Sequence, residues 1–123
     1  MRIFKNTLFV FLVLLEANNC TKPTEYPLIL PPGAEPSAKS HNDYGIEDFL
    51  SGQYYDAFLH FNQASVADPH SGEIHFNKGL SLHMEGHRKK ATEAFIKAKQ
   101  YSKNNPGILK SSILRKYLKQ NTR

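Results

Sequence analysis

Between Ile46 and Tyr101 apolar side chains recur at helical rather than strand spacing. Ile46, Phe49 and Leu50 share one face of a first run that stops at Gly52. Tyr54, Ala57, Phe58, Phe61, Ala64 and Ser65 mark a second run, which ends at Ala67-Asp68-Pro69. Thirty-four residues on, the pattern returns: EIHFNKGLSLHM stops at Gly86, and KKATEAFIKAKQY runs towards Asn104, Asn105 and Pro106. A repeat of helix, turn and helix at this period predicts stacked helical hairpins and an all-α fold. Beyond Pro106, the residues Ile108, Leu109, Ile113, Leu114, Tyr117 and Leu118 fall on one helical side, predicting a capping helix at about 107–119. With Lys110, Arg115, Lys116 and Lys119 on its other faces, that helix is also of a kind that lies on anionic membranes.

Six positions keep their residue type across the repeat: His41/His75, Gly45/Gly79, Gly52/Gly86, Ala57/Ala91, Phe61/Phe95 and Ala64/Ala98. A mid-helix glycine costs about 1 kcal/mol relative to alanine, so Gly45 and Gly79 imply close approach by a partner helix. Gly52 and Gly86 suit the left-handed conformation that ends a helix. The small alanines let backbones approach, and Phe61 and Phe95 fill the wider space between hairpins.

These residues give both units, about 38–69 and 72–103, a resemblance to tetratricopeptide repeats. The first supplies Gly45, Gly52, Tyr54, Ala57, Phe61, Ala64 and Pro69; the second supplies Gly79, Leu82, Gly86, Ala91, Phe95 and Ala98. His41 and His75 stand where the family prefers a large aromatic residue, Asp48 where it prefers an apolar one, and Lys103 where it has proline. The resemblance implies a helical domain over about 41–119, comprising two hairpins and the cap. It also implies protein binding, with the first helix of each pair lining a concave groove. Helical spacing puts Asn42, Ile46 and Phe49 of the first unit and Phe76, Leu80 and His83 of the second on that face. The groove is mostly apolar, and an apolar peptide or helix is the expected ligand. The polar clamp that some members use for a carboxyl terminus is not assembled, although Asn42, Asn77 and Lys78 are isolated parts of it. Two repeats are fewer than the three usually needed for a stable array, which leaves room for self-association or a partner to complete the core.

Upstream, residues 1–19 place Arg2 and Lys5 before an unbroken apolar run, Leu8 to Leu15, and then small or polar residues: the layout of a signal peptide. That run is about half the roughly twenty residues needed to span a bilayer, although an uncleaved anchor remains the alternative. LLEANNC resembles the end of a bacterial lipoprotein signal, with Ala17 and Asn19 at the positions usually held by Leu and by Gly or Ala; looser signals of this kind occur in spirochaete lipoproteins. The resemblance implies a lipid on Cys20, the only cysteine, and a location in the cell envelope. Thr21 after the cysteine favours the outer membrane, facing the periplasm. Residues 20–40 hold five of the seven prolines and read as an extended tether, about 60 Å long at roughly 3.1 Å per residue. The alternative for YPLIL within it is a short packed strand or a partner-binding segment.

Composition narrows the functions. With 123 residues, 40% of them hydrophobic, the chain has room for one small domain, and a single cysteine excludes an internal disulfide or a four-cysteine zinc site. Charge is divided: Cys20 to His75 carries eight acids against Lys22 and Lys39, whereas Phe76 to Arg123 carries twelve bases against Glu85 and Glu93. Such asymmetry suits either head-to-tail association or an acidic partner. Export and the lack of aromatics among the bases disfavour nucleic acid. His83 and His87 have a ligand-like spacing, but Gly86 ends the helix between them and no carboxylate accompanies them. With no nucleophile elbow, phosphate loop or acid pair, neither catalysis, cofactor nor metal is expected. The reading is a lipid-anchored adaptor that recruits another envelope protein; the alternative is a structural lipoprotein that assembles with itself.

Overall fold

A computed structural model describes residues 22–123, which form six helices and no strand. The described part is therefore all-α. Helices α1 (Pro36–Leu50) and α2 (Tyr54–Ala67) pack as one hairpin, and α3 (Gly72–Met84) and α4 (Arg88–Gln100) as a second, with α2 against α3. The short α5 (Pro106–Leu109) and α6 (Ser112–Asn121) follow, with α6 on α4. None of these helices is long and apolar enough to cross a membrane. The apolar run at 8–15 and Cys20 lie outside the described residues.

The recurring residues do equivalent work in the two hairpins. Gly52 and Gly86 take φ of +78° and +79°, and each closes its helix with a Schellman pair of hydrogen bonds. Gly52 and Gln53 N–H donate to the carbonyls of Phe49 and Asp48, and Gly86 and His87 N–H to those of His83 and Leu82. At Gly45 a Cβ would lie 2.6 Å from the ring of Phe61; at Gly79 it would lie 2.6 Å from the ring of Phe95. Both rings are fully buried, so each hairpin interlocks by seating a phenylalanine in the gap a glycine leaves. The main core joins Phe49, Phe61, Phe76, Leu80 and Phe95 to Ile108, Leu114 and Tyr117 from the C-terminal helices.

Three boundaries differ from the sequence expectation. First, α1 starts at Pro36, so residues 36–40 belong to the helix and not to the tether. Pro36 occupies a first-turn site where its missing N–H is harmless, and the Glu35 carboxylate accepts the Ala38 N–H at 2.6 Å. Second, the cap expected at 107–119 is two helices. Ser111 breaks it, its hydroxyl accepting the Leu114 N–H at 3.0 Å and capping a fresh start. Third, Lys103 and Asn104, after α4, have φ of +46° and +62°. Proline cannot adopt that backbone, which accounts for lysine where the repeat pattern has proline.

Candidate functional site

The face expected to form an open groove is filled by the chain's own N-terminal segment. Residues 22–35 run across the domain instead of leading away from it, and the grip centres on the backbone of Leu28. Its N–H donates to Asn77 Oδ1 at 2.7 Å, and its carbonyl accepts from Asn77 Nδ2 at 2.8 Å and from Asn42 Nδ2 at 3.1 Å. Asn77 Nδ2 also donates to Asn42 Oδ1 at 2.8 Å, which ties the two amides together. Both asparagines are completely buried, and a buried amide is stable only with partners like these. One carboxamide supplies a donor and an acceptor side by side and so reads the main chain of an extended peptide as a neighbouring strand would.

Side chains hold the segment on either side. Leu28 packs on the main core, and Leu30, 7% exposed, joins Ala38, Ala64 and Ile74 in a second apolar cluster. Upstream, Glu25 Oε2 accepts from Ile113 N–H at 2.8 Å and from the Ser112 hydroxyl at 3.0 Å, placing a carboxylate at the N-terminus of α6. Tyr26 and Ile29 point outward, 56% and 77% exposed.

The six groove residues separate on this basis. Asn42 touches the segment directly. Ile46 packs half-buried against the core; Phe49, Phe76 and Leu80 are core residues, each 1% exposed, and present no open surface. His83 turns to the C-terminal cap, its Nδ1 2.8 Å from the Tyr117 hydroxyl. The expectation of a vacant apolar groove is therefore corrected: Leu28 and the C-terminal helices cover it. Asn77, Glu25, Leu28 and Leu30 are the residues that sequence reasoning left out of the site. The available signals were an apolar YPLIL inside a proline-rich stretch and an asparagine in each first helix. Asn77 is one residue past the repeat-equivalent of Asn42, which is Phe76, and that offset hides the pair from repeat alignment.

Two histidines respond to burial. His75 Nε2 lies 2.7 Å from the Pro69 carbonyl, which can only accept, so the neutral ring carries its hydrogen there; Nδ1 is buried without a partner. Protonation would add a second hydrogen with nothing to receive it. Burial, and then Lys78 and Lys97, hold the His75 pKa below the ordinary 6.5, outweighing the Pro69 bond. His83 is lowered too, first by burial and then by Arg88 and Lys116. The unfolded chain therefore binds these protons more readily than the folded one. Stability is expected to be full above about pH 6.5, the unfolded value, and to decline as pH falls below it. Thermal melts at pH 7.5 and 5.0 will show a lower midpoint at pH 5.0, and the gap will narrow in His75→Gln.

Among the described residues no cluster of three or more His, Cys, Asp or Glu is placed to hold a metal ion. His87 sits at the exposed start of α4, beyond the turn that follows His83. What the arrangement can do is hold an extended chain: a backbone clamp with an apolar socket on one side and a carboxylate dock on the other. No family model, curated protein or solved structure matches this chain.

Proposed function

We propose that this chain is a lipid-anchored tetratricopeptide-repeat protein of a bacterial cell envelope, on the periplasmic face of the outer membrane, and that it acts as an adaptor. Its groove takes extended segments, and residues 25–30 occupy that groove until a partner displaces them. The observation that carries the reading is the double hydrogen bond between Asn77 and the Leu28 backbone. On the segment's side those bonds use main-chain atoms only, so another extended segment with an apolar residue at the Leu28 position meets the same clamp. The paired Gly45–Phe61 and Gly79–Phe95 contacts support the repeat assignment, and the signal-like residues 1–19 before Cys20 support the anchor.

Competition gives the test. Crosslinked affinity purification from native membranes is compared for the wild type, for Leu28→Ser, which weakens the resident segment, and for Asn77→Ala, which removes the clamp. Greater recovery of a partner with Leu28→Ser and its loss with Asn77→Ala is the expected pattern. Recovery that is equal in all three, or restricted to further copies of the chain itself, would move the weight to self-assembly.

A further inference from the structure

The docking of Glu25 fixes where the chain leaves the domain. Thr24 lines a cavity of about 310 Å³ together with Arg88, Ser112, Lys116, Tyr117 and Gln120, between the start of α4 and the face of α6. Cys20 is four residues away, and four residues reach at most about 14 Å. The 60 Å tether is therefore not available: residues 25–35 are spent on the groove, and an anchor on Cys20 brings this end of the domain to the membrane surface.

That end is cationic. Arg88 and Lys116 line the cavity, and Lys89 lies beside Arg88, Tyr117 and Gln120. Lys116 and Lys119 stand one turn apart on α6 and are exposed, away from the buried Leu114, and exposed Arg123 follows just past the end of the helix. Arg88 closes the cavity from α4, its guanidinium 3.1 Å from Gln120 Oε1 and 5.9 Å from the Tyr117 ring centre. The Glu25 carboxylate, close by on Ser112 and Ile113, already makes an anionic contact at this end.

We infer that the α4–α6 end is a membrane-docking face, on which Arg88, Lys116, Lys119 and Arg123 meet anionic phospholipid headgroups while the Thr24 cavity admits one headgroup phosphate. The inference rests on the anchored reading above for its geometry. Two features favour a membrane over an acidic protein as the occupant: the short reach from Thr24 to Cys20, and the Arg88, Lys89 and Lys116 side chains around the point where the chain emerges. Juxtamembrane cations of this kind each strengthen contact with an anionic leaflet by about fivefold. Docking would hold the domain in one orientation, with α1 and α2 turned away from the lipid.

The full-length chain, expressed in a bacterial host, purified in detergent and reconstituted, provides the test. Vesicles of phosphatidylcholine alone are compared with vesicles that also contain phosphatidylglycerol. An amine-acylating reagent and mass spectrometry then report the reactivity of each lysine, with exposed Lys39 on α1 as the internal reference. Lys116 and Lys119 are expected to react several-fold more slowly in the anionic vesicles, to regain their reactivity at 1 M salt, where screening shortens to about 3 Å, and to be less protected in Arg88→Gln. Equal reactivity in the two vesicle types would overturn the inference, as would protection that survives high salt. The intact mass of the same sample separates this from the anchor. An acylated chain without protection leaves the anchor standing and removes the docking face, whereas protection of an unacylated chain does the reverse.

Discussion

Phe95→Ala is expected to lower the stability of the fold by about 3–5 kcal/mol, the range for emptying a fully buried phenylalanine site. The ring is 0% exposed, fills the gap beside Gly79, and lies 5.9 Å from the Phe76 ring and 5.1 Å from that of Tyr117. It therefore joins the second hairpin to α6 as well as holding α3 to α4. Small domains are stable by only about 5–15 kcal/mol in total, so the variant will be largely unfolded at moderate denaturant, where the wild type is still native. Urea titration followed by far-ultraviolet circular dichroism measures the difference. The reverse change at the same contact makes the mechanism specific. Gly79→Ala improves helix propensity by about 1 kcal/mol, yet its Cβ would stand 2.6 Å from the Phe95 ring. Because that ring is enclosed on all sides, overpacking at a cost of about 1–3 kcal/mol outweighs the propensity gain. A stabilised Gly79→Ala would mean that the helices approach less closely than described.

Asn77→Ala is expected to have the second largest effect, about 2–4 kcal/mol, through lost hydrogen bonds. Alanine removes both bonds to Leu28 and the bond to Asn42 Oδ1, leaving the Leu28 N–H and the Asn42 carbonyl oxygen without the partner they have now. A buried polar group left unpaired costs about 1–3 kcal/mol, more than the net value of the bond itself, and two are created here. Asn77→Asp will be no better, because a carboxylate cannot donate to the Leu28 carbonyl and would face it and Asn42 Oδ1 as a third acceptor. Unlike Phe95→Ala, this change should leave the two hairpins folded and release the segment ahead of them. Limited proteolysis between residues 22 and 35 distinguishes the two variants, since cleavage there will precede loss of helix only in Asn77→Ala.

The contrast reflects what a sequence displays. Gly45 and Gly79 were legible as points of close helix approach because they recur at a fixed period; Phe61 and Phe95, expected between the hairpins, instead seat on those glycines within each hairpin, sixteen residues away. The glycine turns were legible for the same reason, as single positions where few other residues fit. The start of α1 was not, since proline marks an extended chain and a helix's first turn alike; the Glu35 cap that decides between them appears only in three dimensions. Ser111 was hidden because apolar spacing continues through it, and one hydroxyl is enough to divide the helix. The occupied groove was hardest to see. Leu28 reaches Asn42 across fourteen residues and Asn77 across forty-nine, and an extended segment has no helical periodicity to announce it. Listing groove residues by helical face picked out Asn42, which bonds to the Leu28 backbone, but it also collected Phe76 and Leu80, which are buried in the core.

Amide hydrogen exchange at Leu28 in the full-length protein shows whether residues 22–35 occupy the groove. Strong protection of this amide relative to an unstructured peptide of the same sequence is expected, with collapse of that protection in Asn77→Ala while the amides of α3 and α4 stay protected. Exchange at Leu28 as fast as in the free peptide, in the wild type, would contradict this occupation: residues 22–35 would then be a free tether and the groove would stand open.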